Sequence, residues 1–241
     1  MLIRNFTRRV LNAALVLTLV AAPAWAHFVW IESAVDGMAL LVRSGFGEPE
    51  GWDPDLIERL QAAKYWTRTG GELKPLDVPL DKTEKERRVK VSGPRPTAVL
   101  GQCDFGVVQL GSRPATWLRY TAKHLVGAAA SWSDQKANAD FRIEVLAAQV
   151  DGKVRMQVLH LGKPLAGATI NATPPQGDSL KLTTDDKGFA DWTLVGPGKY
   201  GCFVGTTIEG EGKLGEKSYA SMKDYTTLTF EIVKGDAPAA K

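Results

Sequence analysis

The feature that most constrains this chain is its punctuation: apolar runs of strand length recur, and most of them stop at Gly, Pro or Asp. Phe28-Val29-Trp30-Ile31 leads through Asp36-Gly37 to Met38-Ala39-Leu40-Leu41-Val42, a hairpin signature. Lys64-Tyr65-Trp66-Thr67, Leu76 to Leu80, Arg88-Val89-Lys90-Val91 and Thr97 to Leu110 follow, divided by Gly70-Gly71, Asp81-Lys82 and Gly93-Pro94. Runs this short suit strands joined by tight turns, so the chain is predicted to be all-β. One short helix is expected near residues 54–63. There Asp53-Pro54 supplies a cap and a first-turn proline, and Leu56, Ile57, Leu60 and Ala63 recur on one helical face.

From Thr116 to Val126 the residues Leu118, Tyr120, Ala122 and His124 fall in phase, which points His124 the same way as the apolar set. Ala128 to Ala139 is small and polar and reads as a loop. A second unit begins near Asp140. Phe141 to Val145 runs toward the Asp151-Gly152 turn, Val154 to Val158 returns from it, and Tyr225 to Val233 forms a closing strand. The organisation predicted is two β-sandwich-like units, residues 27–139 and 140–233, with 234–241 a disordered tail.

Residues 1–26 have the form of a cleavable secretory signal. Arg4, Arg8 and Arg9 precede an apolar run from Val10 to Ala22, and Ala24-Trp25-Ala26 offers small residues at the cleavage positions. The apolar run is well short of the roughly 20 residues that span a bilayer. The chain is therefore expected in the periplasm or outside the cell, peripheral to a membrane at most. Cleavage would remove three of the 30 basic residues and leave 27 against 27 acidic ones, so charge gives no reason to expect a nucleic-acid partner. Cys103 and Cys202 survive cleavage. In an oxidising compartment they either pair, closing a loop of about a hundred residues, or lie as two thiols in separate cores; spacing does not decide between these.

The segment Gly162 to Tyr200 resembles the transthyretin-like, carboxypeptidase-regulatory-like module. It has Gly162-Lys163-Pro164-Leu165-Ala166-Gly167-Ala168, then Thr184-Asp185-Asp186-Lys187-Gly188, then Pro197-Gly198-Lys199-Tyr200. With His27-Phe28-Val29-Trp30-Ile31 at the mature start, most of the mature chain is similar to bacterial periplasmic components of nickel and cobalt uptake systems. Cys103-Asp104-Phe105-Gly106 and Tyr120-Thr121-Ala122-Lys123 look like segments of one subgroup. The resemblance implies a sandwich fold, nickel or cobalt as cargo, and an inner-membrane transporter as partner. The sequence departs from the family at Asp224-Tyr225, where relatives carry His before the aromatic residue; Asp is a harder ligand, less suited to nickel or copper.

Cleavage would give His27 a free α-amine beside its imidazole, and the two nitrogens can close a chelate ring that suits Ni(II) or, as the alternative, Cu(II). The candidate metal ligands are His27, His124 and Asp224, with His160 a weaker candidate. No nucleotide-binding glycine loop, serine-nucleophile elbow or paired-Cys zinc spacing is present in the sequence, so a non-enzymatic binding protein is expected. Two rival readings remain. One is an envelope module that binds carbohydrate or protein through exposed tryptophans. The other is a copper oxidase whose N-terminal His is joined by a second His on the same metal.

Overall fold

The computed structural model describes residues 28–34, 37–43, 46, 62–77, 87–89, 96–109 and 111–234. The strands in chain order are β1 (Phe28–Ala34), β2 (Gly37–Arg43), β3 (Lys64–Thr69), β4 (Glu72–Leu76), β5 (Arg87–Val89), β6 (Ala98–Val108) and β7 (Thr116–Leu125). A 3-10 segment, Ala129–Asp134, separates these from β8 (Ile143–Val150), β9 (Lys153–His160), β10 (Lys163–Pro164), β11 (Thr169–Thr173), β12 (Leu180–Thr183), β13 (Phe189–Thr193), β14 (Gly198–Leu214) and β15 (Lys217–Ile232). The described chain is all-β and holds no α-helix. The helix expected near 54–63 lies outside the described residues apart from Ala62 and Ala63, which are not helical.

An eight-stranded sheet, ordered β12-β11-β14-β15-β7-β6-β3-β4, forms the middle of the molecule. One face carries the β1-β2-β5 sheet over a core of Trp30, Ile31, Tyr65, Phe105 and Tyr120. The other face carries the β8, β9, β10 and β13 sheet over Met156, Trp192, Tyr200, Cys202 and Phe230. The central pairing is parallel: β15 lies beside β7 from Ser221↔Thr116 to Thr229↔His124. It joins strands from both sides of the expected boundary at residue 140 in one sheet. Covered on both faces, β7 is buried from Tyr120 to Leu125, so its polar phase of Thr121 and Lys123 is as enclosed as its apolar phase.

Edge strand β1 shows how the thin sheet is held. The carbonyls of Val29 and Ile31 accept the hydroxyls of Thr227 (2.6 Å) and Thr229, and that of Ser33 accepts Lys199 Nζ at 3.1 Å. Alternate carbonyls left open on a sheet edge are thus satisfied by side chains from the central sheet, which also blunts the edge against foreign strands.

The motifs read from the sequence have local causes. Asp185 Oδ1 accepts the amides of Lys187 and Phe189, and Gly188 follows at φ +77°, where a Cβ would sit 2.8 Å from the Val158 carbonyl. Gly198 has a positive φ, +136°. The Tyr200 hydroxyl then donates to Gly196 O at 2.7 Å and accepts the amides of Val195 and Gly196. Asp151 and Gly152 both have positive φ in the turn between β8 and β9, as the hairpin signal requires.

One expectation is corrected. The segment read as a loop, Ala128 to Ala139, contains the 3-10 turn, because Trp132 is fully buried against Phe230 at 5.0 Å. Of the strand expected from Leu76 to Leu80, Leu76 ends β4, which pairs with β3 across Gly70-Gly71, and residues 78–80 lie outside the described residues. Of the two alternatives left open for Cys103 and Cys202, the structure holds two buried thiols not joined by a disulfide, packed in the cores on opposite faces of the central sheet. Burial pushes the Cys202 thiol up to about 12.

Candidate functional site

His124 stands on β7 in the phase of Tyr120 and Ala122, facing β1, and is 3 % exposed. Its Nε2 lies 2.9 Å from Ser33 Oγ and its Nδ1 2.7 Å from Thr229 Oγ1. The Thr229 proton is given to the Ile31 carbonyl, so Thr229 Oγ1 accepts from Nδ1–H. Nε2 is left with its lone pair to accept the Ser33 hydroxyl. This is the connectivity of a nucleophile and its base, but the basicity is wrong for the task. Burial, helped by the positive charge of Lys199, pushes the imidazolium down to about 4. A threonine hydroxyl rather than a carboxylate stands behind Nδ1, and an imidazole that weak is a poor proton acceptor near neutral pH. His124 therefore fastens β1 to β7 and β15, with both nitrogens committed and neither open to a metal.

Asp224 lies on the opposite face of the central sheet and is 1 % exposed. It accepts Arg119 Nε on Oδ1 at 2.6 Å, and Arg142 Nε at 3.3 Å and His160 Nε2–H at 3.1 Å on Oδ2. The register places Arg119 directly beside it. The Arg119 guanidinium also lies over Trp117, 4.7 Å from the ring centroid, and Trp117 Nε1 donates to Asp104 Oδ1 at 2.5 Å. This cluster opens on a small cleft whose lining includes Gln102, Asp104 and Tyr225.

A second buried charge group occupies the same face. Lys123 donates to Glu144 and, at 2.9 Å, to the Val145 carbonyl; Glu144 Oε2 also accepts the Asn138 amide at 2.8 Å. Arg68 donates from Nη1 to the Lys136 carbonyl at 2.5 Å. Burial lowers the pKa of both Lys123 and Arg68, and the charge of Glu144 opposes the shift.

The residues expected to share a metal do not converge. His124 and Asp224 face opposite sides of the central sheet, and the structure joins Asp224 to His160 instead. His27 lies outside the described residues. Its neighbour Phe28 begins β1 and is 5 % exposed, stacked on Phe203 at 4.2 Å and edge-on to Tyr225 at 5.1 Å. His124 sits at the other end of β1, beside Ser33, so it is about five strand residues, or ~17 Å, from Phe28. Among the described residues no three His, Cys, Asp or Glu side chains gather as a metal site.

Arg119 and Arg142 are site residues that the sequence pattern does not single out. The one signal is that Arg119 falls in the polar phase of β7, which a two-layer reading turns to solvent. Trp30, Trp132 and Trp192 are core, while Trp66 and Trp117 are only partly buried. No family model, curated protein or solved structure matches the chain.

Proposed function

We propose that this chain is an exported, non-enzymatic binding protein. It works in the periplasm or outside the cell and takes a divalent transition metal at its mature N-terminus, passing the ion to a membrane transporter. Nickel or cobalt is the proposed cargo, with copper the alternative. The supporting observation is the anchoring of Phe28. A terminal His on a frayed tail would be incidental, whereas here the next residue is fixed in an aromatic cluster and its strand is tied down by Thr227 and Thr229. After cleavage, the Cα of His27 would stand 3.8 Å from that of Phe28. Its amine, with a reference pKa near 8, would yield its proton readily to a competing metal. Two nitrogens from one residue make a modest site, which suits an ion to be handed on.

Titration of correctly processed protein with Ni(II) and Cu(II), beside a variant carrying one alanine before His27, tests the reading. The extension removes the six-membered chelate ring closed by amine and imidazole, so affinity should fall at least tenfold. Equal affinity in the two proteins would overturn the proposal.

A second reading, an envelope module that binds carbohydrate or another protein without metal, is favoured by the cleft beside Trp66, Trp117 and Arg119. The copper-oxidase reading needs a second His on the metal held by His27; His124 has both nitrogens engaged and His160 is bonded to Asp224.

A further inference from the structure

The cluster around Asp224 holds more positive charge than it uses. Two guanidiniums meet one carboxylate, and each engages it through Nε alone rather than through a two-pronged fork. Arg119 Nη2 is buried with no hydrogen-bond partner. Such an orphan guanidinium N–H is costly, on the order of 1–3 kcal/mol or more, unless an acceptor reaches it. The Arg142 side chain is 39 % exposed, so part of its guanidinium remains accessible beside the same cleft.

The cleft measures ≈ 70 Å³, room for about two waters or for one small planar group. It adjoins a wider cleft of ≈ 390 Å³, and the two share Gln102 and Asp104. Lys64, Trp66 and Asp140 line the wider one. Asp104 Oδ1 is occupied by Trp117 and by the Gly106 amide, and the Asp104 carboxylate borders both clefts.

We infer that this is a binding site for a small carboxylate carrying a hydroxyl or ammonium donor beside its carboxyl group. The carboxylate meets the free guanidinium N–H groups of Arg119 and Arg142, a planar match between acceptor pair and donor fork. The donor meets Asp104, and the rest of the ligand extends toward Trp66. Phosphate fits less well, since its second negative charge would face Asp224 and Asp104. The site is independent of His27 and stands or falls apart from the metal reading.

The test is calorimetric titration of the mature protein with glycolate, glycine, acetate and inorganic phosphate at fixed ionic strength, repeated on Arg142→Gln and Asp104→Asn. Arg142→Gln alters a partly exposed head, and its melting curve reports whether the fold survives. The expected result is saturable binding of glycolate or glycine, tighter than acetate or phosphate and at least tenfold weaker in Arg142→Gln. Asp104→Asn should shrink the preference over acetate. No saturable binding of any carboxylate, unchanged affinity in Arg142→Gln, or phosphate binding tightest would each overturn the inference.

Discussion

The two faces of the β7–β15 pair solve the same problem, burying polar groups between layers, by opposite means. Toward β1 the polar groups are neutral: His124, Thr227 and Thr229 are joined to Ser33 and to the carbonyls of Val29 and Ile31. Toward β8 and β9 they are charged: Lys123 with Glu144, and Asp224 with Arg119, Arg142 and His160. Neutral hydrogen bonds can be lost one at a time at small cost. A buried charge left alone is far more expensive, because nothing replaces the hydration it gave up. The charged face should therefore fail abruptly when one partner is removed, and the neutral face gradually.

The largest expected effect is on the charged face. Lys123→Met leaves Glu144 buried without its cation and should cost about 3–5 kcal/mol, read from denaturant unfolding. Adding Glu144→Leu should restore much of that loss. A single variant as stable as the parent would show the pair to be hydrated.

Next comes acid sensitivity on the neutral face. The imidazole of His124 takes up its proton near pH 6.5 when unfolded and near 4 when folded. Between those values the unfolded chain binds more protons. The contribution is thus fully present above about pH 6.5 and is lost as pH falls toward 4, by about 3 kcal/mol. His124→Asn should flatten this part of the stability profile relative to the parent; identical profiles would mean that the imidazole is not enclosed.

Thr227→Val should cost less, about 1–2 kcal/mol, by leaving the Val29 carbonyl without its donor. Hydrogen exchange should then rise in β1 and β2 before the central sheet; uniform exchange would argue against separate fastening of the thin sheet. The smallest effect is none at all: a reductant should leave the melting temperature unchanged, because Cys103 and Cys202 face away from each other across a sheet. A drop would reveal a disulfide.

Much of the local structure was legible in the sequence. Asp151-Gly152, Asp185 to Gly188 and Pro197-Gly198 mark turns because few other residues tolerate those dihedrals. The third layer was not legible, for a physical reason. A strand covered on one face and a strand covered on both show the same alternation when the second face buries charges in pairs, and Lys123 finds Glu144 only after folding. The parallel meeting of Thr116 to His124 with Ser221 to Thr229 left no local trace, since the partners stand 105 residues apart. That pairing sets the surroundings of Asp224, so a residue that reads as a candidate metal ligand proves to be an arginine partner. Trp132 was hidden by the small residues around it, which suggest a loop when its burial is unseen.

The assignment of the metal to the N-terminus, rather than to His124, is tested most directly by electron paramagnetic resonance of the Cu(II)-loaded processed protein. It should show nitrogen couplings from an amine and one imidazole, preserved in His124→Asn and altered when one alanine precedes His27. A spectrum that changes in His124→Asn, or that survives the extension, would contradict it.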